Sequence, residues 1–116
     1  MIVYVHKSCS TCKKALYFLE SQKLSFEKID IVTCSPSKEH LLQMLHYLKG
    51  DQKKLFNTSG NLYREGSFKE KVPSMTVEEV LEVLSKEGML IKRPFLLGGH
   101  FGLLGFKKEE WKKKLV

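Results

Sequence analysis

No apolar run in this chain approaches the ~20 residues needed to cross a bilayer. The longest, such as Gly88-Met89-Leu90-Ile91 and Phe95-Leu96-Leu97, are only a few residues long, so neither a transmembrane span nor a membrane role is expected. The N-terminus, Met1-Ile2-Val3-Tyr4-Val5, lacks the basic n-region and long apolar h-region of a secretory signal, which predicts a cytoplasmic protein. Cysteine is scarce and odd in number, three in 116 residues, and this argues against a fully paired oxidised scaffold. In a reducing compartment a close cysteine pair is more often catalytic or metal-binding than structural. Proline is equally scarce, three residues, and a composition of 42% apolar and 28% charged residues argues against disorder. A chain of this length buries about 65% of its unfolded surface. One domain over residues 1–116 is therefore expected, with no need for a disulfide or metal staple.

Acidic residues are in deficit: thirteen Asp and Glu against twenty Lys and Arg leave a net charge of +7. The distribution matters more than the sum. Lysines are scattered, and the densest run, Lys107-Lys108-Glu109-Glu110-Trp111-Lys112-Lys113-Lys114, is interleaved with acids as on the solvated face of a helix. No stripe of aromatics alternates with the basic residues as nucleic-acid readers require, so direct nucleic-acid binding is not expected. An anionic protein or small anion suits the charge better.

Ile2 to His6 is a β-branched run. Beyond it Cys12, Ala15, Leu16 and Leu19 recur at helical spacing. Phe26, Ile29 and Ile31 predict a second strand, and Leu41, Leu42, Leu45 and Leu48 a second helix that Gly50 can end. Asp51 to Ser74 holds the turn-rich Asn57-Thr58-Ser59-Gly60-Asn61 and reads as short helices joined by loops. Thr76-x-x-Glu79 is a capping box opening a helix with Val77, Val80, Leu81 and Leu84 on its apolar face, and Gly88 is placed to close it. Leu96 to Phe101 reads as two strands around a Gly98-Gly99 turn, and Trp111 and Leu115 anchor a last helix. This order predicts an α/β, thioredoxin-like fold: a mixed four-stranded sheet with a helical insertion between βαβ and ββα halves.

In that arrangement Cys9-Ser10-Thr11-Cys12 lies where the first strand hands over to the first helix, where free backbone N–H groups and the positive end of the helix dipole meet. Cys9 is the expected reactive thiol: with Lys7, Lys13 and Lys14 close in sequence, its pKa can fall from about 8.5 into the range ~3.5–7.5. Cys12, on the apolar stripe, is expected to be buried, protonated and within reach to resolve a mixed disulfide on Cys9. A zinc half-site or two incidental thiols are the competing readings of a CxxC; zinc would need further ligands such as Cys34 with His40 or His46, which form no second close pair. Cys34 is read mainly as a loop cysteine without a role, and the four histidines as surface or strand-edge residues. Arg93-Pro94 precedes the third strand. A proline there is commonly cis in this fold, and Arg93 would project toward Cys9 to hold a thiolate or oxyanion.

With those residues in place, the chain resembles the arsenate reductase (ArsC)/Spx family of thioredoxin-like proteins almost end to end. The segments that carry the resemblance are Cys9-Ser10-Thr11-Cys12-Lys13-Lys14-Ala15, Pro36-Ser37-Lys38-Glu39, Leu55-Phe56-Asn57-Thr58-Ser59-Gly60, Tyr63-Arg64-Glu65, Gly88-Met89-Leu90-Ile91-Lys92-Arg93-Pro94 and Gly105-Phe106-Lys107. The resemblance implies a nucleophile at Cys9, an oxyanion-binding Arg93 and a cis Pro94; Ser10, Thr11, Lys13, Asn57, Arg64 and Pro94 are the expected substrate-binding residues. Arsenate reductases of the family draw on glutathione and glutaredoxin and use three arginines. Here only Arg93 is evident, with the other two positions falling near Asn57 and Leu103. Spx-type members carry CxxC as a redox switch and bind the RNA polymerase α subunit. The expectation is a thiol-dependent oxidoreductase acting on a small-molecule or protein thiol rather than efficiently on arsenate. It would bind no cofactor, take reducing power from glutathione/glutaredoxin or thioredoxin, and act as a monomer; a redox-sensing regulator is the alternative.

Overall fold

A computed structural model describes residues 1–116. Four strands, β1 (Ile2–Val5), β2 (Glu27–Asp30), β3 (Phe95–Leu97) and β4 (Gly102–Leu104), form one sheet in the order β2-β1-β3-β4. β1 pairs parallel with β2 and antiparallel with β3, and β3 pairs antiparallel with β4. The helix α1 (Ser10–Ser21) makes the βαβ crossover, and α6 (Lys108–Leu115) follows β4. Between the halves lie α2 (Lys38–Tyr47), the short α3 (Asn61–Glu65) and α4 (Phe68–Lys71), and α5 (Val77–Lys86), joined in part by 3₁₀ turns.

Strand alternation divides the core in two. From β1 and β3, Val3, Val5 and Leu96 face one side, where they meet Cys12, Ala15, Phe18 and Leu19 of α1 and Trp111 of α6. Tyr4, Phe95 and Leu97 face the other, against Leu41, Met44 and Leu45 of α2 and Val80, Leu81 and Leu84 of α5. The capping box forms as expected: Glu79 N–H donates to Thr76 Oγ1 at 3.1 Å and Thr76 N–H to Glu79 Oε1 at 2.8 Å.

Three local expectations need correction. Val77 and Leu42 are 41% and 51% exposed: Val77 shares the face of Val80, Leu81 and Leu84 but is the first residue of α5, at its open end, while the buried face of α2 runs through Leu41, Met44 and Leu45. Leu42 sits about 100° off that line. Gly88 closes α5 with no left-handed turn; it is glycine because a Cβ there would meet the Ile31 carbonyl oxygen at 2.0 Å. The hairpin turn is Gly99-His100 rather than Gly98-Gly99, since Gly98 N–H still bonds to Phe101 C=O at 2.9 Å and continues the ladder.

Candidate thiol site

Cys9 is the N-cap of α1. Its backbone is extended, its C=O accepts from Lys13 N–H, and its Sγ accepts from Cys12 N–H at 3.2 Å. One turn of helix thereby holds both sulfurs of the CxxC. Their surroundings differ: Cys9 is partly exposed, Cys12 is buried, and both are free thiols. Burial pushes the Cys12 thiol up to about 12, with the hydrogen bond to Cys9 and the Cys9 charge adding to it; a backbone hydrogen bond from His6 and the Arg93 guanidinium act in the opposite direction.

A cleft of about 340 Å³ opens over Cys9 and brings Thr11, Asn57, Lys92, Arg93, Phe106 and Lys107 to one place. The helical insertion is pinned there by an isolated antiparallel bridge between Phe56 and Ile91, flanked by bonds from Asn57 N–H to Leu90 C=O (2.7 Å) and from Lys92 N–H to Leu55 C=O (2.9 Å). The bridge holds Asn57 opposite Leu90, at a place where it lines the same cleft as Arg93. The Arg93-Pro94 bond is cis, and the Pro94 carbonyl accepts from Gly105 N–H at 2.9 Å. Arg93 reaches the cleft with Nη1 3.4 Å from both the Met89 and Ile91 carbonyls, while its Nε is buried without a partner.

Cys9, Thr11, Asn57 and Arg93 are thus brought together, with Cys12 beneath and Pro94 behind. Ser10, Lys13 and Arg64 are not among the residues lining this cleft. Ser10 is exposed on the first turn of α1. Lys13 lies instead with Lys7, Lys28 and Asp30 on the other side of Cys12, and Lys14 on the outer face of α1. Arg64 is exposed and occupied by the Ser59 carbonyl (3.2 Å) and the Asn61 side chain. The cations facing Cys9 are therefore not its sequence neighbours but Lys92, Arg93 and Lys107, and no Asp or Glu lines the cleft.

Leu103 is buried in the core of β4 and contributes nothing to the cleft; the end of that strand facing Cys9 supplies Phe106 and Lys107 instead. Sequence reading missed Lys92 and Lys107 as site residues. The signal available was their position inside the Ile91-Lys92-Arg93-Pro94 and Gly105-Phe106-Lys107 segments. Gly105 has φ +73°, and its bare Cα lies under the Lys92 chain, whose Cε a Cβ would meet at 2.9 Å.

His40 is not a plain surface histidine, since its Nδ1 bonds to the hydroxyl of buried Tyr4 at 2.8 Å. Burial, then the charges of Cys34 and Glu27, raise that phenol. Cys34 is exposed beyond β2. No three His, Cys, Asp or Glu side chains are grouped to hold a metal ion, and no helix is long and apolar enough to cross a membrane.

Comparison with known proteins agrees with this geometry. The ArsC family model matches residues 4–114. The protein YusI of Bacillus subtilis is 41% identical over 110 residues, covering 95% of this chain and 93% of that one. The global transcriptional regulator Spx of Streptococcus agalactiae is 25% identical over 108 residues, 93% of this chain and 77% of Spx. A crystal structure of an ArsC-family-related protein from Bacteroides fragilis superposes with a TM-score of 0.88 at 38% identity, covering 97% and 96% of the two chains. With a mixed sheet, a CxxC at the start of α1 and a family match over nearly its whole length, the chain belongs to the ArsC family and has its thioredoxin-like fold.

Proposed function

We propose that this protein is a thiol-dependent oxidoreductase that reduces a disulfide through Cys9 and Cys12. The observation that carries the reading is the pairing of a cleft-facing Cys9 with a buried Cys12 one helical turn away, its amide 3.2 Å from the Cys9 sulfur. The Cys9 thiolate attacks one sulfur of the substrate, forming a mixed disulfide and expelling the other half as a thiolate. Cys12 then loses its proton and attacks Cys9 Sγ, releasing the second half. The substrate gains two electrons and two protons, and the protein ends with a Cys9–Cys12 disulfide. An external dithiol such as thioredoxin, or glutathione with glutaredoxin, restores it.

Cys12 is timed by its surroundings. While Cys9 carries a thiolate, their hydrogen bond and charge repulsion add to burial in keeping Cys12 protonated. Mixed-disulfide formation removes that charge, leaving burial opposed by the His6 amide and Arg93, so the resolving thiol ionises more readily once there is something to resolve.

Arsenate fits the cleft less well. A dianionic oxyanion taken from water is best held by several fixed, bidentate donors; the cleft offers Lys92 and Lys107 as flexible point charges and a single arginine, which directs Nη1 toward two carbonyls. Each missing charge-assisted hydrogen bond costs about 1.5–3 kcal/mol, so two absent arginines correspond to roughly 10²- to 10⁴-fold in turnover. The test compares kcat/KM for arsenate with a glutaredoxin couple and for a small disulfide, using one preparation and its Cys9→Ser variant. Disulfide reduction lost in the variant supports the reading; efficient arsenate turnover lost in the variant overturns it in favour of arsenate reduction.

The 25% identity to Spx over 108 residues favours a second reading, in which the same disulfide changes the fit of the protein to the RNA polymerase α subunit. A pull-down on that subunit with the dithiol and disulfide forms separates the two.

A further inference from the structure

A second cavity, of about 470 Å³, lies on the outer face of α1. Lys13, Lys14 and Tyr17 border it from the helix, Phe18 and Phe106 floor it, and Lys108 closes it from the start of α6; no acidic residue lines it. Tyr17 is 74% exposed, the largest exposure among the big hydrophobic side chains, and it serves neither core cluster. The floor is preformed: Phe106 packs against Phe18 at 5.9 Å between ring centres and against Trp111 at 5.0 Å, and Trp111 is buried and bonded through Nε1 to the Gly105 carbonyl at 3.0 Å.

Phe106 also lines the Cys9 cleft, so the two depressions share one wall. Lys107, in extended backbone, serves the thiol side, and Lys108, the first residue of α6, serves the outer side. An apolar floor ringed by cations and continuous with a thiol cleft suits a chain with an apolar side chain next to a carboxylate. Tyr17 lies eight residues along α1 from Cys9, about 12 Å at 1.5 Å per residue, which extended peptide covers in about four residues.

We propose that this cavity docks an acidic peptide segment of the protein whose cysteine is exchanged at Cys9, with an apolar residue beside Phe106 and Tyr17 and neighbouring carboxylates on Lys14 and Lys108, about four residues from the reacting cysteine. The proposal rests on the thiol chemistry above and names the substrate class for it. Nucleic acid is the less suitable occupant because Tyr17 stands alone, without the row of exposed aromatics that stacks successive bases.

The test measures binding on Cys9→Ser, where no exchange occurs, using synthetic peptides that carry a blocked cysteine and a Leu-Asp-Glu patch. The patch is set four or ten residues away, and a third peptide carries Leu-Lys-Lys at the near position. The near acidic peptide is expected to bind about tenfold tighter than either other peptide, and to lose that margin in Tyr17→Ala with Lys14→Glu and Lys108→Glu or at 1 M salt. In the protein with Cys9 intact, the same triple substitution should lower kcat/KM for the corresponding acidic peptide disulfide by a similar factor and leave that for 2-hydroxyethyl disulfide unchanged. Equal affinity for acidic and basic peptides, tighter binding of an oligothymidylate, or an equal loss on the small disulfide overturns the docking site. A peptide preference in Cys9→Ser without disulfide reduction by the unsubstituted protein would instead remove the proposed chemistry and leave the docking site standing.

Discussion

The amide of Cys12 donates to the sulfur of Cys9 across 3.2 Å while the Cys12 thiol itself lies in the core between α1 and the sheet. One turn of helix therefore joins a partly exposed sulfur to a buried one, and the difference in burial separates their chemistry. Iodoacetamide at neutral pH is expected to modify Cys9 first, and Cys12 only after unfolding, as read by peptide mass mapping. Faster labelling of Cys12 or Cys34 than of Cys9 would reverse the assignment of roles.

The same burial makes a pH prediction. Cys12 is raised from an ordinary 9.0 to about 12 in the folded state, so the folded protein prefers the protonated thiol. The stability this confers is fully present below pH 9 and is lost as pH climbs toward 12. Urea midpoints at pH 8 and pH 10.5 under reducing conditions should fall more for the native chain than for Cys12→Ala. Parallel losses in the two proteins would place the alkaline sensitivity elsewhere.

Cys12→Ser should trap mixed disulfides. With the resolving sulfur gone, a glutathione adduct on Cys9 has no internal thiol to displace it. Mild oxidised glutathione is expected to give a persistent single adduct in this variant and an internal disulfide in the unsubstituted protein, distinguished by intact mass. An adduct that clears at the unsubstituted rate would show that Cys12 does not resolve.

Gly88→Ala should be among the costliest single-methyl additions in the chain. The added Cβ would sit 2.0 Å from the Ile31 carbonyl oxygen, a backbone atom that cannot swing away, and overpacking of this kind costs about 1–3 kcal/mol or more. Gly99→Ala, where nothing lies within 4 Å, serves as the control in urea titration and should change stability little.

Trp111→Phe should couple the C-terminal helix to the thiol cleft. It removes the indole donor from the buried Gly105 carbonyl, a loss of about 1–3 kcal/mol, and loosens the ring that holds Phe106 on edge. Lower stability together with a changed Cys9 alkylation rate is the expected pair of results; an unchanged rate would mean that Phe106 keeps its position without the indole.

Much of this architecture was legible in the amino-acid pattern. The run Ile2 to Val5, the i, i+3, i+4, i+7 stripe from Cys12 and the Thr76/Glu79 capping box each carry their signal within a few covalently adjacent residues, and their elements appear where the spacing puts them. Errors arose where an apolar residue stood next to a helix face without belonging to it, as with Leu42, where it sat at the open first turn of its helix, as with Val77, or where a glycine's reason lay in a distant segment, as with Gly88 beneath Ile31.

The sequence by itself determined that a CxxC begins the first helix, that its first cysteine is the more accessible, and that a basic dipeptide segment, Lys92-Arg93, precedes a proline at the third strand. Tertiary structure alone decided which charges meet the thiol. Lys7, Lys13 and Lys14 are near Cys9 along the chain, yet helical geometry turns Lys13 and Lys14 onto other faces of α1, and Lys7 lies with Lys13 beside Cys12. Lys92, Arg93 and Lys107 arrive from more than eighty residues away, through the Phe56–Ile91 bridge and the Gly105–Pro94 contact. Periodicity is a property of neighbours in the chain and can be read directly. The approach of distant side chains depends on how two packed halves close on each other, and no local spacing encodes that closure.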